Sequence, residues 1–179
     1  MNLKVIVLMV CAGYGIWFAL IGGKQIEEAH VHTLYNQLQS SFVRGDIKTY
    51  CGLISDEVSG KVRLLSRQQS MREETSVDKA SLCASAEAFH QSLEQLKNMA
   101  MTRRQNFSYN DTADVTSITI SPDRKMATVE TVGDFNVQIG GKTVFSVHST
   151  SVDQLKRNFG RTKIVHVDGT TVTQTHVPR

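Results

Sequence analysis

Long basic stretches are missing from this chain. No run of lysine and arginine exceeds two residues, as at Arg103-Arg104 and Lys156-Arg157, and the formal net charge is +3. Nucleic-acid binding, which needs a clustered basic face, is therefore not expected. Proline is scarce, with 2 in 179 residues, and there is no low-complexity tract or internal repeat, which argues against disorder and long linkers. Metal-ligating patterns are also missing. Glu27, Glu28, His30 and His32 lie close in sequence, but two histidines two apart on a helix point about 200° apart. Only Glu28 and His32 share a face, whereas a metalloprotease helix needs two histidines four apart with a glutamate between them. The group reads as a solvated helix face, and neither a metal nor a cofactor is expected.

Cysteine is nearly as scarce, at three residues. Cys11 sits in an apolar run without the small residue that a lipoprotein signal places before its cysteine. Cys51 and Cys83 either bridge or remain two separate buried thiols. A bridge would close a loop of about 33 residues, worth roughly 3–4 kcal/mol in the chain-entropy picture. Cys51 has no local base to make it a nucleophile.

What the chain does have is a long apolar front. Val5 to Gly23 runs VIVLMVCAGYGIWFALIGG without a charge. As a helix it spans roughly 28 Å, near the ~30 Å hydrocarbon core of a bilayer. It is long for the apolar region of a cleaved signal peptide, and the small-x-small cleavage pattern is poor. Residues 1–23 are accordingly read as a transmembrane anchor, with a signal peptide or a buried core helix as alternatives. Flanking charge (Lys4 before, Lys24 after, then Glu27 and Glu28) predicts a single pass. The N-terminus is placed in the cytoplasm and residues 24–179 in the periplasm or outside the cell. That leaves about 155 residues, one domain's worth.

The body opens with a helix predicted over Lys24–Arg44, where Ile26, Val31, Leu34, Leu38 and Phe42 recur at helical spacing. Gly45 ends it and Asp46 caps a shorter helix, Ile47–Ile54. Val58–Leu65 alternates as a half-buried strand, with helix as the competing reading. Ser66–Thr75 is polar and reads as loop. A third helix, capped by Ser76 or Asp78, runs to about Met101 with Leu82, Ala86, Phe89, Leu93 and Leu96 as its stripe. Strands follow: Val115–Ile120, Met126–Val132, Phe135–Ile139, and Lys142 through Arg157. Arg161–Val167 and Thr170–Thr175 complete the set, with hairpin signals at Gly140-Gly141 and Asp168-Gly169. Helices first and strands after predict an α+β fold, a curved antiparallel sheet around three helices.

Two stretches carry a family resemblance. Ser40-Ser41-Phe42-Val43-Arg44-Gly45-Asp46, followed by Ile47–Ser55 and Asp56, resembles the first-helix end and Gly-Asp turn of the NTF2-like (cystatin-like, SnoaL-like) superfamily. Leu155 to Val165 resembles that family's penultimate hairpin, with Thr162 where an aromatic is usual. The resemblance covers roughly Gln25 to Thr175 and implies an NTF2-like cone. That superfamily includes isomerases, dehydratases, transport adaptors and membrane-tethered secretion components, so it implies no single activity. In the members resembling ketosteroid isomerase, the first-helix tyrosine position falls here on Leu38 and the general-base position near Val62. No catalytic residue is carried over.

Tyr35, Leu38, Phe42, Tyr50, Phe89, Leu93 and Phe135 are expected inside the cone, as filled core or as a small apolar pocket. Asp114, Asp134, His148, Asp153 and His166 lie on predicted strands or at their ends. Strict alternation points His148 to solvent and makes His166 the inward candidate. The expected function is a membrane-anchored extracytoplasmic domain acting by protein interaction or self-association, as an envelope or secretion-system component. The alternative is a domain that binds a small apolar ligand, or an isomerase- or dehydratase-type enzyme using the cone.

Overall fold

The computed structural model describes residues 22–66 and 71–175. After a short turn at Gly22–Lys24, these residues form helices α1 (Glu28–Val43), α2 (Ile47–Gly52) and α3 (Lys79–Thr102). The strands are β1 (Ile54–Ser66), β2 (Met71–Val77), β3 (Phe107–Ile120), β4 (Met126–Ile139), β5 (Lys142–Asn158) and β6 (Arg161–Thr175). They make one sheet in the order β2-β1-β6-β5-β4-β3.

The helix boundaries follow local chemistry. Gly45 takes φ +69° after α1, a conformation open to glycine at little cost. Asp46 then accepts a hydrogen bond from the Thr49 amide at 3.0 Å and starts α2. Asp78 accepts from the Ser81 amide at 2.8 Å, and its own amide donates to Ser81 Oγ at 2.9 Å, a reciprocal cap on α3.

Val31, Leu34 and Leu38 of α1 pack on Ile54, Val58, Val129, Leu155 and Ile164 to form the main core. A second cluster gathers Leu93 of α3 with Phe135 and Val137 of β4, flanked by Phe89 and Phe145. Along β4 and β5 the inner face holds Val129, Phe135, Val137, Val147, Asp153 and Leu155. The register pairs Val129 with Asp153, Phe135 with Val147 and Val137 with Phe145.

The α+β arrangement stands, but four expectations are corrected. The sheet is mixed rather than antiparallel throughout, because β1 runs parallel to β6. Residues 71–75, expected in a loop, belong to edge strand β2, which pairs with β1. The predicted hairpin at Asp168-Gly169 does not form. β6 continues through it, with Gly169 opposite Ser151 on one side and Val62 on the other.

The fourth correction concerns the membrane. Among the described residues no helix is long and apolar enough to cross one, and residues 1–21 lie outside the described part. The helix expected from Lys24 begins only at Glu28. Before it, Ile26 is fully buried in the core and its amide donates to the Arg124 carbonyl at 2.7 Å. The anchor, the single-pass topology, the periplasmic or extracellular placement and the envelope role built on it are therefore not supported.

Candidate functional site

A cavity of about 310 Å³ opens between α1, α2 and the inner face of the sheet. α1 contributes Tyr35, Leu38, Gln39 and Phe42, and α2 contributes Tyr50. Tyr35, Leu38 and Phe42 share a face because they lie three and four residues apart. The sheet contributes Asp111 and Asp114 from β3, Thr131 from β4, Ser149, Ser151 and Asp153 from β5, and Ile164 and Val167 from β6.

Asp153 is the chemical centre. It is only 5% exposed and lies on the same strand face as Leu155. The Tyr35 hydroxyl donates to its Oδ2 at 2.6 Å. Its Oδ1 is buried and has no hydrogen-bond partner among the described residues. Burial pushes the carboxyl above the usual carboxylate range, against the Tyr35 hydrogen bond, the neighbouring Ser151 hydroxyl and the nearby His166, all of which favour the charged form. Burial also raises Tyr35, reinforced by the charge and hydrogen bond of Asp153, so its hydroxyl keeps its proton and remains a donor. Tyr50 is raised too, by burial first and then by Asp153. The Thr131 and Ser151 hydroxyls meet at 2.8 Å on the same wall. At the rim, Gln39 Nε2 donates to the Asp111 carbonyl at 3.4 Å, and burial raises the Asp111 carboxyl.

The sequence-predicted pocket residues divide into two groups. Tyr35, Leu38, Phe42 and Tyr50 line the cavity. Phe89, Leu93 and Phe135 belong to the adjoining cluster, linked to the wall by Phe42 against Phe89 (5.4 Å between centroids) and Phe89 against Phe135 (5.0 Å). His166 does not line the cavity. Val165 is an extra residue in β6, since Leu155 pairs with Ile164 while Gln154 pairs with His166. The bulge resets the alternation, so Ile164 and Val167 take the inner positions instead. His148 lies half-exposed with its Nδ1 2.8 Å from Asp134 Oδ1. Among the described residues no cluster of His, Cys, Asp and Glu is arranged to hold a metal ion.

Cys51 and Cys83 form a disulfide, with Cα atoms 5.8 Å apart, joining α2 to α3. Cys51 follows Tyr50 directly, so the bridge fixes the wall that Tyr50 provides. Two larger clefts, of about 460 and 560 Å³, flank the β5–β6 turn and share Arg161 and Lys163. Neither is lined by a buried ionisable side chain.

The role of Asp153 has a signal in the sequence. Strict alternation along β5 from Phe145 and Val147 puts Ser149, Ser151, Asp153 and Leu155 on the apolar face. A carboxylate in phase with that face is the residue to examine first.

No protein-family model matches the sequence, and no curated protein matches it. Solved structures do match the fold. A conserved protein from Planctomyces limnophilus aligns with a TM-score of 0.56 at 15% identity, covering 82% of this chain and 96% of that one. A candidate scytalone dehydratase from Novosphingobium aromaticivorans aligns at 0.55 and 8% identity, over 85% and 89%. An NTF2-like protein of unknown function from Shewanella baltica aligns at 0.51 and 13% identity, over 85% and 95%. At these identities the likeness establishes the fold, which is NTF2-like.

Proposed function

We propose that this protein binds a small, largely apolar molecule in the cone and exchanges a proton with it through the Tyr35–Asp153 pair, as an isomerase- or dehydratase-type enzyme would. The observation that carries this is the buried carboxyl itself. Asp153 lines an apolar cavity with its Oδ1 buried and unpartnered, while Oδ2 is fixed by the Tyr35 hydroxyl at 2.6 Å. Leaving such a group unmet costs about 1–3 kcal/mol, a cost a polar ligand atom would remove. Burial raises the carboxyl, which brings a general base closer to working pH. Tyr35 holds the carboxyl and supplies a donor that does not ionise. One neighbour of this fold is named as a candidate scytalone dehydratase. It supports the reading by analogy of fold only.

Ligand-observed NMR with a fragment library, in D₂O, tests the proposal. Apolar fragments bearing one polar group should bind the wild type and be lost in Leu38→Trp, which fills the cavity. Bound carbon acids should exchange a proton for deuterium at least about 100-fold faster with the wild type than with Asp153→Asn. Fragments that bind equally well to Leu38→Trp would refute the cone as the site, and exchange unaffected by Asp153→Asn would refute the proton-transfer role.

A further inference from the structure

We propose that the cone selects organic cations: small apolar amines in their protonated form, with the ammonium directed at Asp153. This rests on the reading of the cone as a ligand pocket and names the charge class it takes.

The first argument is the sign of the lining. Two carboxyl side chains, Asp111 and Asp153, lie on the inner strand faces that border the cavity, and among the described residues no lysine, arginine or histidine lines it. Asp153 is 5% exposed with an unpartnered Oδ1. The groups around it are Tyr35, Ser151 and Tyr50, and His166 acts on it only through charge at a distance. His166 belongs to the other face of β6, opposite Gln154, and does not close the site. An anionic ligand would enter this space with no cation to meet it. A neutral ligand would satisfy Oδ1 with an ordinary hydrogen bond. An ammonium would make a charge-assisted bond, roughly twice as strong.

The second argument is the wall. Tyr35, Phe42 and Tyr50 present aromatic surface, which attracts a cation through its ring faces and covers an apolar body. The same apolar wall and the lack of a metal-holding cluster among the described residues disfavour a bare metal ion.

Three probes of nearly equal shape test this by calorimetry at pH 7: 2-phenylethylamine, which is protonated there, 2-phenylethanol and phenylacetate. The amine should bind at least about tenfold tighter than the alcohol, and phenylacetate most weakly. Asp153→Asn should erase the preference for the amine. If that variant does not fold, the rim variant Asp111→Asn should reduce the preference severalfold. Equal or tighter binding of the alcohol, abolished by Leu38→Trp, would overturn the cation proposal while leaving the pocket reading intact. A preference for the amine that survives Leu38→Trp would overturn it as surface attraction. Failure of all three probes would remove the cone reading and this proposal together.

Discussion

Asp153 faces inward among Val129, Leu155 and Val167, and its position sets how stability responds to pH. Burial raises its folded-state value above that of the unfolded chain. In the window between those two values the folded protein holds a proton that the unfolded chain has released. Stability therefore falls as pH rises from about 4 through the folded value, then levels. Asp111, also raised by burial, acts in the same direction. The exposed carboxylates held low, such as Asp46 by Thr49 and Glu74 by Lys61, act oppositely and only on acidification. Asp153→Asn should thus be more stable than the wild type at neutral pH and show a flatter profile. Urea unfolding at several pH values between about 5 and 8 checks this, and an unchanged slope would contradict the assignment. The sequence pattern places Asp153 on the apolar face but carries no sign of the bulge at Val165 that turns His166 away. One inserted residue shifts the alternation without altering composition.

Gly60 illustrates a second residue whose role is invisible in the sequence. In β1 it occupies an apparently apolar slot between Val58 and Val62, and it pairs with Val167 across the parallel seam. A Cβ at Gly60 would fall on the Val167 carbonyl oxygen. Backbone cannot move aside as a flexible side chain can, so Gly60→Ala should cost about 2 kcal/mol or more. Thermal melting should show the loss, accompanied by faster amide exchange along β1 and β6.

At the scale of elements, α2 is the dependent one. Six residues make a helix too short to persist alone. It is held by the Asp46 cap and by the Cys51–Cys83 bridge to α3. Cys51→Ser/Cys83→Ser should lose about 3 kcal/mol of stability, read as a shift in denaturation midpoint. Because Tyr50 sits beside Cys51, the double variant should also loosen the cavity wall and weaken ligand binding. The helices were largely legible because caps and periodicity are local signals. β2 was not, because an edge strand can be polar on both faces. It is held to β1 by the antiparallel backbone ladder, with exposed Lys61–Glu74 and Arg63–Glu74 pairs across it, rather than by an apolar stripe. Edge strands commonly carry charge.

At the scale of the whole molecule, the three helices and the strand-rich second half were readable from pattern alone. The partnering of β1 was not. Nothing in Val58–Leu65 indicates that its neighbour is a strand about 100 residues further on rather than one nearby. The apolar front of the chain pulled the functional reading toward the membrane, whereas the described body supplies a carboxyl-bearing cavity instead. Pattern locates surfaces that must leave water. It does not say whether the space they enclose is filled.

The parallel seam of β1 against β6 also has a kinetic side. Its pairs, such as Gly60 with Val167, bring together segments made early and late during translation. During synthesis the second edge of the β1–β2 pair has no partner until β6 has been made. For that interval the nascent chain presents an open strand to its neighbours, and a chaperone or rapid local folding of α3 would have to shield it.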